Sequence, residues 1–575
     1  MYFHALSCHH TNSSPELHKG LTRLICNRSV AAPAESALHN ISAWIRIKGP
    51  SHRPAIRLTS RRRLGVATCM DRQRKARGFR AVQNDADGAR MNAPPPEPQL
   101  SATVKLRQVF AAQSAAFRAS PAPSAARRRK KLRRLKRQIG RYQTLLAAAL
   151  AEDFGHRAAI ESKIYDLLSS TLEINHLLRH VGGWMRPSRR PPELVFLTNS
   201  LKVTYQPKGV VGVIVPWNFP IYLAIGPVAA AIAAGNRVMV KMPETTPRTR
   251  DVLARMIAEV FPEDQLYIAE DLGNDREAFV GLPFNHLIFT GSPLSARPIM
   301  MSAAENLTPV TLELGGKSPA IVAAGFPLDD AALRIVHGKS ANCGQTCVAP
   351  DYALVPKGQA RAFADQARTA FAARFGDSVK DNPDYTSVID DRQLLRLLTL
   401  LDDAAAKGAT IIPCAAYDRE RDGRRLPLHL VLDTTPDMLI RQEEVFGPLL
   451  PILEYDGIDQ AIAHVAAGPR PLALYYFGRD RAETGKVLRQ TQSGGVTIND
   501  WCWHVVNHAA PFGGIGNSGM GSYHGVEGFR ELSHARTVFR KHRFYPISLL
   551  YPPYGGRIQR LLLKLFLGKG DRSLK

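Results

Sequence analysis

The 575-residue chain has no run of about 20 apolar residues, the length a helix needs to cross a hydrocarbon core, so no transmembrane span is expected. Cysteine is scarce: seven residues, at 8, 26, 69, 343, 347, 414 and 502. An odd number without a dense framework argues against a disulfide scaffold and for a reducing compartment, so a cytoplasmic location is expected. Cys343 and Cys347 are not matched by a second nearby His/Cys pair, so no zinc-type metal site is expected. Walker A is absent, and no internal repeat is visible. Acidic residues are few. There are 76 Lys+Arg against 50 Asp+Glu, a net charge of +26. The excess lies mostly in the first 90 residues, in "RRRKKLRRLKR" (127–137) and at the C-terminal end, while residues 150–530 are closer to balance. Such ends read first as solvated surface, with no specific nucleic-acid partner expected; transient contact with nucleic acid or an anionic membrane is the alternative.

Residues 1–90 have weak apolar periodicity. They read as a disordered extension, with Met91 the preferred start and an Arg-rich targeting segment the competing account. Leu132, Leu135, Ile139, Tyr142 and Leu146 then recur at helical spacing, so one stripe faces a core and the intervening Arg and Lys face water. After residue 200 come short β-branched runs: "GVVGVIVPW", "RVMVKM", "HLIFTGS", "PAIVAA", "YALVP", "PILEY" and "GVTIND". Helical stretches lie between them, and "IGPVAAAIAAG" is expected to end at Gly235. Alternation of strand and helix predicts a doubly wound α/β architecture. "RLLLKLFLG" (560–568) is too short to span a membrane and reads as a packed terminal helix rather than an amphipathic surface contact.

"GIGNSG" (514–519) fits G-x-G-x-x-G, but Pro-Phe precedes it instead of a strand, and too little chain follows for a βαβ unit. A tight glycine turn near a site is the better reading. "NCGQTC" (342–347) offers a thiol nucleophile, which needs an oxyanion donor and a base to release an acyl group. "PWNFP" (216–220) offers Asn218 in a turn stiffened by proline. "ELGGKSP" (313–319) offers Glu313 before two glycines that allow close backbone approach. Each alone is an ordinary turn residue or surface acid.

In order, the chain carries "VPWNFP", "VKMPE", "FTGS", "ELGGKSP", "NCGQTC", "EEVFGP", "SGGVTIND" and "PFGGIGNSGMGSYHG". This series, over about 105–545, resembles the aldehyde dehydrogenase superfamily, most closely its class 3 branch and the bacterial coniferyl aldehyde dehydrogenases. The resemblance implies oxidation of an aldehyde, aromatic, cinnamyl or medium- to long-chain aliphatic, to its acid through a thiohemiacetal and a thioester. It implies Cys347 as nucleophile, Asn218 as oxyanion donor and Glu313 as general base. It implies cofactor contacts from Trp217, Lys241, Glu244, Gly291, Ser292, Glu444 and Phe446. An acid at 244 would repel a 2′-phosphate, so NAD is expected, with NADP as the alternative. Cys343 falls at a variable family position and reads as a small packed residue; a disulfide with Cys347 is the alternative.

The resemblance further implies a fold of two doubly wound α/β domains plus a small β oligomerisation arm. The division expected is 91–310 for N-terminal helices and NAD-binding domain, 311–500 for the catalytic domain, 187–204 with 530–545 for the arm, and 546–575 for a basic tail. A homodimer is expected. Some positions depart from the family pattern. Ser340 stands where a large apolar residue is usual. In "FTGSPLSAR", Pro293 and Ala296 alter the loop expected at the pyrophosphate, though proline is tolerated in a helix's first turn. Trp501 and Trp503 suit an aromatic substrate mouth or simple packing. The competing functions are a semialdehyde dehydrogenase that acylates coenzyme A, which retained Glu313 disfavours, and an idle binding protein acting through its basic ends.

Overall fold

The computed structural model describes residues 101–568 apart from 274 and 276. The expected extension 1–90 and the start at Met91 lie outside the described residues. Those described fall within one of two compact units, Pro94–Lys575.

The basic helical stretch is a 30-residue helix, Ala125–Phe154, opened by Ser124, whose hydroxyl accepts the Arg127 N–H. Leu132, Leu135, Ile139, Tyr142 and Leu146 are all buried, as the periodicity predicts. Arg128 departs from the expected wet face. It is buried and donates to the Ala233 carbonyl, 2.8 Å, at the C-terminal end of the helix Tyr222–Ala234. A guanidinium satisfies an orphan carbonyl there and meets the negative end of the helix dipole. That helix ends where expected, at Gly235, in the left-handed region with φ +98°.

The architecture is α/β with two large, mostly parallel sheets. The six-stranded sheet runs in the order Gly519–Met520, Val310–Glu313, His286–Thr290, Val210–Ile214, Arg237–Lys241, Leu266–Ile268. From Val210–Ile214 the chain winds outward through two strands, then returns to the other side at His286–Thr290. This reversal is a topological switch point, and it opens a crevice at the strands' C-terminal ends. The strand Val210–Ile214 leads into Trp217 and Asn218, and His286–Thr290 into Gly291 and Ser292, so both loops leave the two strands that flank the crevice.

The seven-stranded sheet runs Thr410–Pro413, His429–Leu432, Leu449–Tyr455, Tyr352–Pro356, Pro319–Val322, Ala473–Phe477, Gly495–Ile498. Only its first strand is antiparallel. Its core includes Phe363, Phe371, Leu430, Leu450 and Phe477. The strand Val310–Glu313, which a division at 310/311 would split, belongs to the six-stranded sheet, and the chain crosses to the other sheet through Gly315 and Gly316. A third sheet joins Ser188–Arg190, Ser200–Pro207 and Ser533–Arg540.

The C-terminal helix, Arg557–Leu567, is not packed as expected. Gln559 is its one buried residue, while Leu561, Leu563, Leu565, Phe566 and Leu567 are exposed. The Gln559 amide ties it to a short turn, donating to the carbonyls of Leu549 and Tyr551 at 3.1 and 3.0 Å. Periodicity shows that a helix has an apolar face, not what covers it.

Candidate active site

Cys347 follows a loop in an unusual conformation. Asn342, Cys343 and Gly344 all take left-handed φ values, +51°, +55° and +69°. A Cβ on Gly344 would sit 2.5 Å from the Gly447 carbonyl oxygen, so this position needs glycine. Side-chain amides offset the strain. Asn342 donates to the backbone carbonyls of Asn218 and Gln345 at 3.0 and 3.1 Å. Gln345 donates to Asn342 and Ser387 carbonyls and accepts from the Ile389 N–H. The Glu161 carboxylate accepts the Asn342 N–H at 2.8 Å.

Two cysteines four residues apart thus point to different places. Cys343 is fully buried, with its sulfur 3.8 Å from the Tyr385 hydroxyl and 3.7 Å from the Leu426 carbonyl. Burial pushes its thiol up to about 12. It is packed and free of a disulfide. The Cys347 thiol is also held up, by burial first, then by Glu444, Cys502 and Glu313. Glu313 is therefore near enough to be felt by the sulfur.

Glu313 ends its strand, paired with Gly519 on one side and Thr290 on the other. It is buried, and both carboxylate oxygens lack a hydrogen-bond partner. Burial raises its pKa well above the usual carboxylate range. "GIGNSG" is a tight turn that lays Gly519 and Met520 antiparallel to this strand, in agreement with the sequence reading. Its glycines are needed because a Cβ on Gly514 or Gly519 would collide with the backbone of Ser518 or Leu312.

Asn218 is buried, and its backbone carbonyl accepts from Asn342 and from Arg157, 3.3 Å. Arg157 also pairs with Asp166 at 2.9 Å, with both side chains wholly buried. Asp166 in turn accepts the N–H groups of Ile221 and Tyr222, at the positive end of the helix Tyr222–Ala234. The turn bearing Asn218 is thus held from below by a buried ion pair.

Trp217 and Phe446 meet edge to face, ring centroids 5.3 Å apart. Phe446 has φ +44°, and its loop is restrained on three sides. Asp351 accepts the Val445 N–H at 2.8 Å, Arg396 donates to the carbonyls of Glu444 and Val445, and Lys317 donates to the carbonyl of Glu443 at 2.8 Å. Lys317 also pairs with Asp351 at 2.5 Å. Glu444 lies against Gly315, where a Cβ would strike its carboxylate. Burial, then Asp351, raises its pKa to about 7. Lys241, at the end of its strand, pairs with Glu244 at 2.7 Å. Ser292 caps the helix Pro293–Glu305 and accepts the Ser295 N–H at 3.2 Å. The Gly291 N–H donates to the Glu313 carbonyl at 3.0 Å, joining this loop to the Glu313 strand.

Glu313, Glu444 and Cys347 lie within electrostatic reach of one another, and Trp217 meets Phe446. Asn218, Lys241 with Glu244, and Gly291 with Ser292 lie at or just after strand ends of the six-stranded sheet. Sequence reading missed Asn342, Gln345, Asp166, Asp351 and Arg396, whose partners are distant in the chain. Trp501 is packed, donating to His337 Nδ1 at 3.0 Å, whereas Trp503 is exposed and donates to Asp500 at 2.6 Å.

A dinucleotide fits these groups. The crevice lies at a switch point, a helix N-terminus stands ready for phosphate, and Lys241–Glu244 can meet a ribose. Residues 97–538 match the family model described as "Aldehyde dehydrogenase family". A probable coniferyl aldehyde dehydrogenase of Pseudomonas aeruginosa is 49% identical over 463 residues, 80% of this chain and 96% of that protein. The substrate-bound AldH of Staphylococcus aureus superposes with a TM-score of 0.75 at 32% identity, over 80% of this chain and 99% of its own. An aldehyde dehydrogenase of Mycobacterium tuberculosis complexed with NAD+ gives 0.70 at 27% identity, over 76% and 90%.

Proposed function

The chain belongs to the aldehyde dehydrogenase family, as an NAD(P)-dependent enzyme that oxidises an aldehyde to its acid, and we propose from that premise which residues do the work and on what substrate. Cys347 attacks the aldehyde carbon through its sulfur. The Asn218 amide, which makes no hydrogen bond among the described residues, and the Cys347 N–H stabilise the resulting oxyanion. Bound NAD(P)+ supplies the hydride acceptor for this two-electron oxidation. Glu313 takes a proton from water, which attacks the thioester left on Cys347 and frees the acid and the thiol. Aldehyde, water and NAD(P)+ thus give carboxylate, NAD(P)H and two protons.

The observation that carries this assignment is the Glu313 carboxylate, buried within electrostatic reach of Cys347 and with neither oxygen partnered. A structural acid in that place would be paired. An unpaired one has its lone pairs free for water. Burial raises the pKa of both groups, so a raised pH favours turnover.

Trp217, Glu444 and Phe446 hold the nicotinamide end, Gly291 and Ser292 the pyrophosphate, and Lys241 and Glu244 the adenosine ribose. The carboxylate at 244 makes NAD the preferred form over NADP. The substrate is a cinnamyl aldehyde such as coniferyl aldehyde, by likeness to the Pseudomonas aeruginosa relative. The enzyme works in the cytoplasm as a homodimer, with Ser533–Arg540 offering an edge strand for pairing. The three-stranded sheet is that arm. Among the described residues no helix is long and apolar enough to cross a membrane.

The test follows NADH formation with aryl, cinnamyl and long aliphatic aldehydes, for the native enzyme and Cys347→Ser. Coniferyl aldehyde is expected to give the highest kcat/KM, and the variant no turnover. Turnover retained in the variant would contradict the assignment of Cys347, and a preference for aliphatic aldehydes the assignment of substrate.

A further inference from the structure

Behind Tyr222 lies a group of side chains that the reaction above does not use. Glu173, His508 and His524 are buried, and one ligand atom from each lies within 4.8 Å of the others. His524 Nε2 is 3.7 Å from Glu173 Oε2. The Tyr222 hydroxyl is 3.2 Å from His524 Nε2 and 3.4 Å from His508 Nε2. We infer that Glu173, His508 and His524 form a binding site for a divalent transition-metal ion of the zinc class, with the Tyr222 oxygen beside it.

The first support is the state of Glu173. Its side chain is 2% exposed, and neither carboxylate oxygen has a hydrogen-bond partner. A carboxylate in such a place needs a proton or a cation. A proton does not complete the cluster, because the nearest imidazole nitrogen at 3.7 Å is too far to accept it. The same separation suits an ion, since two ligand atoms each about 2.1 Å from a metal stand roughly this far apart.

The second support is the imidazole chemistry. His508 and His524 are both buried, with Nε2 of each facing the Tyr222 hydroxyl. A neutral imidazole presents one ring nitrogen with a lone pair, the form that binds metal, and each Nε2 can donate to or accept from the Tyr222 hydroxyl according to its tautomer. Two imidazoles and a carboxylate suit zinc or cobalt better than calcium or magnesium, which prefer all-oxygen shells. His176 follows Glu173 by one helical turn, and its ring lies 4.4 Å from that of exposed His180.

The ion would tie the helix Ser169–Trp184 to two distant stretches of chain, directly beneath the helix that follows Asn218. The three ligands are too far apart in sequence for any spacing rule to find them.

The test uses the untagged full-length chain, stripped of metal by dialysis and then given zinc or cobalt. The native enzyme and Cys347→Ser are expected to retain one ion per chain, to show the visible bands of low-symmetry cobalt, and to gain thermal stability with zinc. Glu173→Gln, an amide of the same shape that leaves the reacting residues alone, is expected to bind at least about tenfold more weakly. His508→Asn is a second variant should the first fold poorly. No ion retained by the native enzyme, or equal retention by Glu173→Gln and His508→Asn, would overturn the inference. So would loss in Cys347→Ser with retention in Glu173→Gln, which would put the ion on the thiol. None of these readouts depends on turnover.

Discussion

The side-chain amide of Asn342 donates to the backbone carbonyl of Asn218 at 3.0 Å. One hydrogen bond therefore joins the loop that carries the thiol to the turn that carries the oxyanion donor. Asn342 is at φ +51°, so its conformation is held by the contacts it makes. Asn342→Gly keeps the backbone accessible and removes the amide. It is expected to lower kcat/KM by about ten- to a hundredfold, the scale of a small misplacement of reacting groups, with KM for NAD changed little. Steady-state kinetics check this, and an unchanged kcat/KM would mean that the two loops are held independently.

Asp166 supports the same turn through Arg157 and the helix N-terminus. Asp166→Asn leaves a buried guanidinium without its charged partner, since the remaining Glu161 contact is 3.8 Å away. Loss of about 3 kcal/mol of stability is expected, read as a fall in the urea midpoint at constant slope.

Ser340 is buried, and its hydroxyl lacks a partner. It stands where the family usually has a large apolar residue, and its unpaired hydroxyl is a direct cost. Ser340→Ala removes a buried polar group without adding volume. It is expected to raise stability by about 1 kcal/mol. A destabilised variant would show that the hydroxyl is satisfied in solution.

Glu313 has a folded pKa well above that of the unfolded chain. The folded state holds its proton more tightly, so this contribution to stability is complete below the unfolded carboxylate pKa. It is lost as pH rises toward the raised folded value. Glu313→Gln cannot lose a proton. Melting curves should show its stability falling less than that of the native enzyme between acidic and alkaline pH.

The sheets were legible where apolar runs were short, β-branched and regularly spaced, as in Val210–Ile214 and Arg237–Lys241. The side of the crossing on which Val310–Glu313 belongs was not, because four residues carry no sign of their neighbours. Glu313, Asn218 and Cys347 could be singled out because each lies within three residues of a glycine or proline and because the ordered series of motifs around them resembles one family. Their supports could not. Asn342, Asp166 and Asp351 reach partners distant in sequence, and a lone amide or acid looks alike in a turn and in a buried network. The exposed face of the terminal helix was misjudged for the same reason: its periodicity is a property of the segment, and its cover is not.

The assignment of nucleophile and base is tested most directly by Glu313→Gln mixed rapidly with NAD and coniferyl aldehyde. A burst of about one NADH per active site is expected, followed by turnover slower by at least about a hundredfold. Intact mass should then show the acyl group on Cys347. No burst, or steady turnover at the native rate with no acyl group retained, would contradict the placement of the thioester on Cys347 and of the base at Glu313.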